Sequence, residues 1–203
     1  MNRRAMARSR FRFLFAPLAL LAAGCSADQP AARPPLEGAT IGGEFTLIDK
    51  AGQPVRYSEF AGQYRAVYFG YTFCPDVCPL DVQKLMQGFA LFAKAEPDLA
   101  NQVQPIFITI DPARDTPAVV GEFAAAFSPR LLGLTGTEAQ VAAAAKAFKV
   151  YRAKGADSPG GGYLMDHSNI AYLMNRDGKP LAMLPHDQGP QAVADELAKW
   201  TRH

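Results

Sequence analysis

Three side chains in this sequence have the chemistry to hold a soft metal ion or to exchange electrons: Cys74, Cys78 and His167. The cysteines stand in Tyr71-Thr72-Phe73-Cys74-Pro75-Asp76-Val77-Cys78-Pro79, a C-x-x-x-C pattern between an apolar run and an amphipathic one. Were all five residues helical, the sulfurs would share one face with Cα atoms roughly 6 Å apart. Proline disfavours helical geometry at the residue before it, so Cys78 is expected in the opening turn, with the helix starting at Pro79. Both sulfurs then lie at a helix N-terminus, where the macrodipole and free N–H groups favour thiolate and lower the pKa. A disulfide between them would close too small a loop to constrain the unfolded chain much, which weighs against a purely structural bond. In an exported chain such a pair can form a small disulfide, hold a metal, or alternate between the two.

Of the three histidines, His203 is terminal and His186 follows Pro185 in a polar stretch, where a solvated ring is expected. His167 differs, lying in Tyr163-Leu164-Met165-Asp166-His167-Ser168 between two apolar segments. Two thiolates and an imidazole make a soft, low-coordinate set that suits Cu(I), whereas structural zinc usually takes four protein ligands. Met165, Met174 and Met183 alternate with apolar neighbours and read as core residues, Met165 being near enough to His167 to be a candidate accessory ligand. The run Asp111-Pro112-Ala113-Arg114-Asp115-Thr116-Pro117 ends a strand and begins a helix, with Asp115 or Thr116 as N-cap and Pro117 in the first turn.

The elements that must position these groups follow from periodicity. Glu44–Ile48 and Val55–Tyr57 read as a hairpin about the Asp49–Gly52 turn, and the short apolar run Ala66–Gly70 as a central strand covered on both faces. A helix is expected over Pro79–Ala95, then strand Val103–Ile110, helix Thr116–Phe127, strand Leu131–Leu134 and helix Thr137–Phe148. A Gly-rich loop, Ser158–Gly162, precedes strands Tyr163–Met165, Ile170–Met174 and Leu181–Leu184, with a turn at Asn175–Gly178, and a last helix spans Gln191–Lys199. This pattern predicts an α/β fold of thioredoxin-like (peroxiredoxin-like) type, with an N-terminal β-hairpin and a mixed central sheet flanked by helices.

The first 24 residues are unlike the rest. Five arginines precede the 11-residue apolar run Phe13–Ala23, which is broken only by Pro17 and too short for a comfortable membrane span of about 20 residues. Residues 1–24 read as a signal peptide of lipoprotein type, because Leu21-Ala22-Ala23-Gly24-Cys25 resembles a lipobox, with Cys25 the lipidated residue. Residues 25–39, carrying three prolines, form the expected lipid-anchored flexible tether, and residues 40–203 the folded copper-binding domain. Removing residues 1–24 takes the formal charge from +2 to −3, since five arginines and no acids are lost, so nucleic acid is not an expected partner.

Over about residues 40–200 the chain resembles the Sco/SenC family, the copper chaperones and thiol reductases of cytochrome c oxidase assembly. The resemblance is carried by Gly70-Tyr71-Thr72-Phe73-Cys74-Pro75-Asp76-Val77-Cys78-Pro79, Asp111-Pro112-Ala113-Arg114-Asp115-Thr116 and Asp166-His167-Ser168, in that order. It implies a metallochaperone in which Cys74, Cys78 and His167 are the copper ligands, for Cu(I) with Cu(II) as a further candidate. It also implies assistance in maturing the CuA centre, the partner being cytochrome c oxidase subunit II or another periplasmic copper protein. The chain would sit in the bacterial cell envelope, anchored to a membrane with its domain in the periplasm or outside the cytoplasmic membrane. The alternatives are a thiol–disulfide reductase acting on the CuA cysteines, with Cys74 and Cys78 as a catalytic redox pair, and a redox sensor.

Overall fold

In the computed structural model, residues 32–157 and 162–202 are described. The expected signal peptide, Cys25, the first part of the tether and the Gly-rich stretch 158–161 lie outside the described residues. The first hairpin pairs β1 (Thr46–Ile48) with β2 (Pro54–Arg56). Its turn is closed by the Asp49 carboxylate, which accepts the N–H groups of Ala51 and Gln53 at 2.9 and 2.8 Å, and by Gly52 at φ +74°. The chain then enters β3 (Tyr64–Gly70), buried along nearly its whole length.

Helix α1 (Val77–Ala95), the short α2 (Pro97–Ala100), β4 (Val103–Thr109), α3 (Pro117–Phe127), β5 (Leu132–Leu134) and α4 (Glu138–Ala147) follow. A second hairpin, β6 (Arg152–Asp157) with β7 (Tyr163–His167), leads into β8 (Ala171–Met174), β9 (Pro180–Met183) and α5 (Pro190–Thr201). The central sheet has the order β5-β4-β3-β8-β9, with β3, β4 and β5 parallel and β8 and β9 antiparallel to their neighbours. The mixed α/β arrangement expected from the sequence is therefore present.

Alternation along β3 divides the core. Val67 and Phe69 join Ile106, Ile108, Phe148 and both cysteines on one side, while Tyr68 joins Phe107, Phe89, Leu173 and Leu197 on the other. Helices α1 and α5 cover the second side. Gly88 permits their close approach, since a Cβ there would come 2.6 Å from the Pro190 carbonyl oxygen and from Val193 Cβ.

Three expectations need correction. Helix α1 begins at Val77, not Pro79, so Cys78 is helical; Pro79 is its third residue, where the missing N–H would have had no intrahelical acceptor. Strand β6 was not foreseen, because Arg-Ala-Lys-Gly-Ala-Asp has no strand-like apolar alternation; it pairs with β7 and is tied down by Arg152, which bonds the Ile110 carbonyl and Glu138. Met183, expected in the core, is 53% exposed on the edge strand β9, whereas Met165 and Met174 are buried. Among the described residues no helix is long and apolar enough to cross a membrane.

Candidate metal centre

The parallel end of β3 delivers the chain into the loop that carries Cys74, and the first turn of α1 carries Cys78, which is fully buried. The Cys78 N–H donates to Cys74 Sγ at 3.5 Å. From the far end of the chain, β7 brings His167 so that its Nε2 lies 3.3 Å from Cys78 Sγ. The sequence-derived trio thus converges, with both thiols free.

The tautomer of His167 follows from hydrogen-bond valence. Its Nδ1 lies 2.9 Å from the Ser168 carbonyl oxygen, which only accepts, so Nδ1 carries the proton. The Nε2 lone pair then points at the thiols, as a metal ligand requires. Burial also pushes the His167 pKa down, against the opposing pull of the Ser168 carbonyl, Asp81 and Asp166, and so favours the neutral ring. Tyr71 packs edge-on to this ring, with centroids 6.0 Å apart.

The thiols are not equivalent. Burial works against ionisation of Cys74, but the N–H groups of Cys78 and Asp76 and contacts from Cys78 and Tyr71 outweigh it, so its pKa is lowered. Burial pushes Cys78 up to about 12, with further upward pressure from Cys74. The expectation that the helix N-terminus depresses both thiols therefore holds for Cys74 and fails for Cys78, where desolvation wins.

Two anchors hold the loop and the histidine hairpin. Asp115, half-expected as an N-cap, is instead buried and accepts from the Thr72 N–H at 3.0 Å and from the hydroxyls of Thr72 and Thr109 at 2.5 Å each. Thr116 takes the capping role, accepting from the Val119 N–H. Arg114 pairs with Asp111 at 2.5 Å, donates from Nη1 to the Tyr163 carbonyl at 2.8 Å, and lies 3.7 Å over the Tyr163 ring. The Tyr163 hydroxyl closes the clamp on Asp111 at 2.8 Å, fastening β7 to the end of β4.

Sequence reasoning missed a polar group behind Cys78. His186, expected to be solvated, is only 5% exposed, with Nε2 3.1 Å from Asn169 Oδ1 and 3.7 Å from Asp81 Oδ2. The short 3₁₀ turn His186–Gln188 packs against α1 and α5, so the ring is covered in part by a helix far earlier in the chain. The usable signals were local: Asp81 lies three residues after Cys78 on the same helix face, and Asn169 two residues after His167.

As a donor set, two thiols and a correctly oriented imidazole nitrogen fit a soft, low-coordinate ion. Among the described residues, no three His, Cys, Asp or Glu side chains already stand as a closed metal cage. The trio is instead a chain of contacts through Cys78.

A mixed five-stranded sheet with a cysteine pair where the central strand meets its helix defines a thioredoxin-like protein, here with an imidazole added to the thiols. The family profile described as SCO1/SenC matches residues 33–202, and the chain belongs to this family. It is 46% identical over 144 residues to "Protein SCO2 homolog, mitochondrial" of Mus musculus, covering 70% of this chain and just over half, 56%, of the mouse protein. It is 41% identical over 160 residues to "Protein SenC" of Rhodobacter capsulatus, covering 78% of this chain and 70% of that one. The structure of Bradyrhizobium japonicum ScoI with copper bound superposes with a TM-score of 0.71 at 36% identity, covering 79% of this chain and 99% of that one.

Proposed function

We propose that this protein is a copper metallochaperone that holds copper through Cys74, Cys78 and His167 and assists maturation of the CuA centre of cytochrome c oxidase. The observation that carries this reading is the 3.3 Å approach of His167 Nε2 to Cys78 Sγ, with Nδ1 committed to Ser168 and so leaving Nε2 free to ligate. A simple dithiol reductase has no need of that imidazole, whereas Cu(I) gains a third soft-compatible donor. Copper bound to the structurally similar ScoI supports the cargo, and SenC among the relatives supports the family setting.

The chain's own residues supply a site suited to transfer. Cys74, in a loop and with the lower pKa, presents the thiolate that meets a partner's ligands first, while the fully buried Cys78 and the half-buried His167 retain the ion. The receiving partner is the CuA domain of oxidase subunit II. Residues 1–24 act as an export signal, Cys25 as a lipid anchor and residues 25–39 as the tether, holding the domain on the periplasmic side of a bacterial membrane and raising its effective concentration near the oxidase.

The test is an anaerobic Cu(I) titration of the reduced protein against a competing chelator. One tight equivalent is expected, and His167→Ala, Cys74→Ser and Cys78→Ser should each weaken binding by tenfold or more, on the order of the loss of a metal ligand. Near wild-type affinity in His167→Ala would leave only a dithiol oxidoreductase.

A further inference from the structure

Beyond Gly70, whose carbonyl takes the Ile110 N–H at 2.8 Å, the chain leaves β3 and folds back: the Cys74 N–H donates to the Tyr71 carbonyl at 3.4 Å. Thr72 and Phe73 are thus the middle of a turn that has Tyr71 at one end and Cys74 at the other. Tyr71 carries the ring that packs edge-on to His167. Whatever fixes Thr72 therefore bears on Cys74 and on His167 together.

Both hydrogen-bonding groups of Thr72 that donate are taken by one side chain. The Thr72 N–H and the Thr109 hydroxyl donate to Asp115 Oδ2, at 3.0 and 2.5 Å, and the Thr72 hydroxyl donates to Oδ1 at 2.5 Å. The backbone carbonyl of Asp115 accepts in turn from the Thr135 hydroxyl at 2.7 Å. Thr109 ends β4, Thr135 follows β5 and Thr72 lies just past β3, so Asp115 gathers the ends of all three parallel strands at the pole where the site lies.

The fold by itself gains little from an acid at this place. Asp115 is fully buried, and among the described residues no cation lies within ion-pair distance of it. Burial and the charge of Asp111 push its pKa up, and the bonds from Thr109 and Thr72 pull against them. A buried carboxyl is unfavourable unless it is hydrogen-bonded, and two of the three donors that relieve this one belong to Thr72.

We propose that Asp115 is a positioning residue of the copper site: by gripping both the N–H and the hydroxyl of Thr72, it sets the turn from which Cys74 meets the metal and the ring against which His167 stands. Its effect on copper rests on the copper reading above; its hold on the turn rests on the hydrogen bonds alone. Partners one step removed from metal ligands typically alter affinity by about tenfold or more.

The test uses the full chain, reduced, with Cu(I) and a competing chelator, alongside amide exchange of the metal-free protein and thermal unfolding. Asp115→Ala should lower Cu(I) affinity about tenfold, shift the ultraviolet thiolate-to-Cu(I) band, and speed exchange of the Thr72 and Cys74 amides about tenfold. Thr72→Val, which keeps the N–H and loses the hydroxyl, should act in the same direction to a smaller extent, and added to Asp115→Ala it should weaken binding no further. Asp115→Asn should recover most of the loss: its oxygen in the place of Oδ2 still accepts from the Thr72 N–H and the Thr109 hydroxyl, and its NH2 in the place of Oδ1 donates to the Thr72 oxygen. Leu197→Ala, a cavity on the other side of the sheet, should lower the unfolding temperature while leaving affinity and band in place. The proposal is overturned by a folded Asp115→Ala with wild-type affinity, band and exchange, or by a Leu197→Ala that weakens copper as much. An Asp115→Asn as weak as Asp115→Ala overturns it too, because the charge rather than the grip would then matter. Should Asp115→Ala fail to fold, Thr72→Val decides, and unchanged affinity and exchange there overturn the proposal. A wild-type chain that binds Cu(I) weakly would instead sink the copper reading, and exchange at Thr72 and Cys74 would still decide whether Asp115 holds the turn.

Discussion

Cys74, in the loop, and Cys78, in the first turn of α1, are four residues apart yet meet different surroundings. N–H donors lower the pKa of Cys74, while burial pushes Cys78 up to about 12. A thiol reacts as its thiolate, whose fraction grows as pH rises through the pKa, so Cys74 should be alkylated at pH 7 well before Cys78. Mass-spectrometric mapping after brief iodoacetamide treatment of the reduced, metal-free protein should find label on Cys74, with labelling of Cys78 rising only in strongly alkaline solution. Equal labelling of both at neutral pH would contradict the assignment. The meeting of Cys74, Cys78 and His167 was legible in the sequence because these residues lie in short runs of unusual composition. His186 was not, because Pro185-His186-Asp187-Gln188 is polar throughout and its burial is imposed by α1 and α5. The split in thiol pKa was equally hidden: the sequence marks a helix start but not the depth at which each sulfur lies below the surface.

Elements fix the site by close approach and by clamps. At the end of β3, a Cβ on Gly70 would come 2.9 Å from the Tyr68 ring, 3.1 Å from Phe107 and 3.3 Å from Cys78 Sγ. Gly70→Ala should therefore destabilise the fold by about 1–3 kcal/mol through overpacking, measured by denaturant unfolding, and should weaken Cu(I) binding as the sulfur is displaced. The hairpin β6–β7 depends instead on Arg114, which joins Asp111 to the Tyr163 carbonyl and ring. Arg114→Ala should speed amide exchange in β6 and β7 by about tenfold while leaving β3 and β4 protected; uniform exchange across all four strands would mean that the clamp has no local role. Most helices and central strands were legible from apolar periodicity, to within one or two residues at their ends. Strand β6 was not, since a charged strand paired only to its hairpin partner shows no buried face, and the start of α1 was misjudged because proline is harmless in a first turn.

For the whole molecule, the basic character belongs to the first 24 residues, without which the formal charge is −3. If Cys25 carries the anchor, Cys25→Ser should move the protein from the membrane pellet to the soluble fraction on ultracentrifugation without changing Cu(I) affinity; continued sedimentation with membranes would assign anchoring to the uncleaved N-terminal segment. The described domain also joins distant stretches of chain: Cys78 and His167 are 89 positions apart, and β8, which follows the histidine, pairs directly with β3, which precedes the cysteines. A chain synthesised or translocated only as far as α4 already displays both thiols but has neither the imidazole nor the strand that closes the sheet beside them. Such a nascent chain has the two sulfurs of the proposed site, and His167, its proposed third ligand, arrives together with the last third of the fold. In the copper site proposed above, full metal retention therefore requires the completed fold.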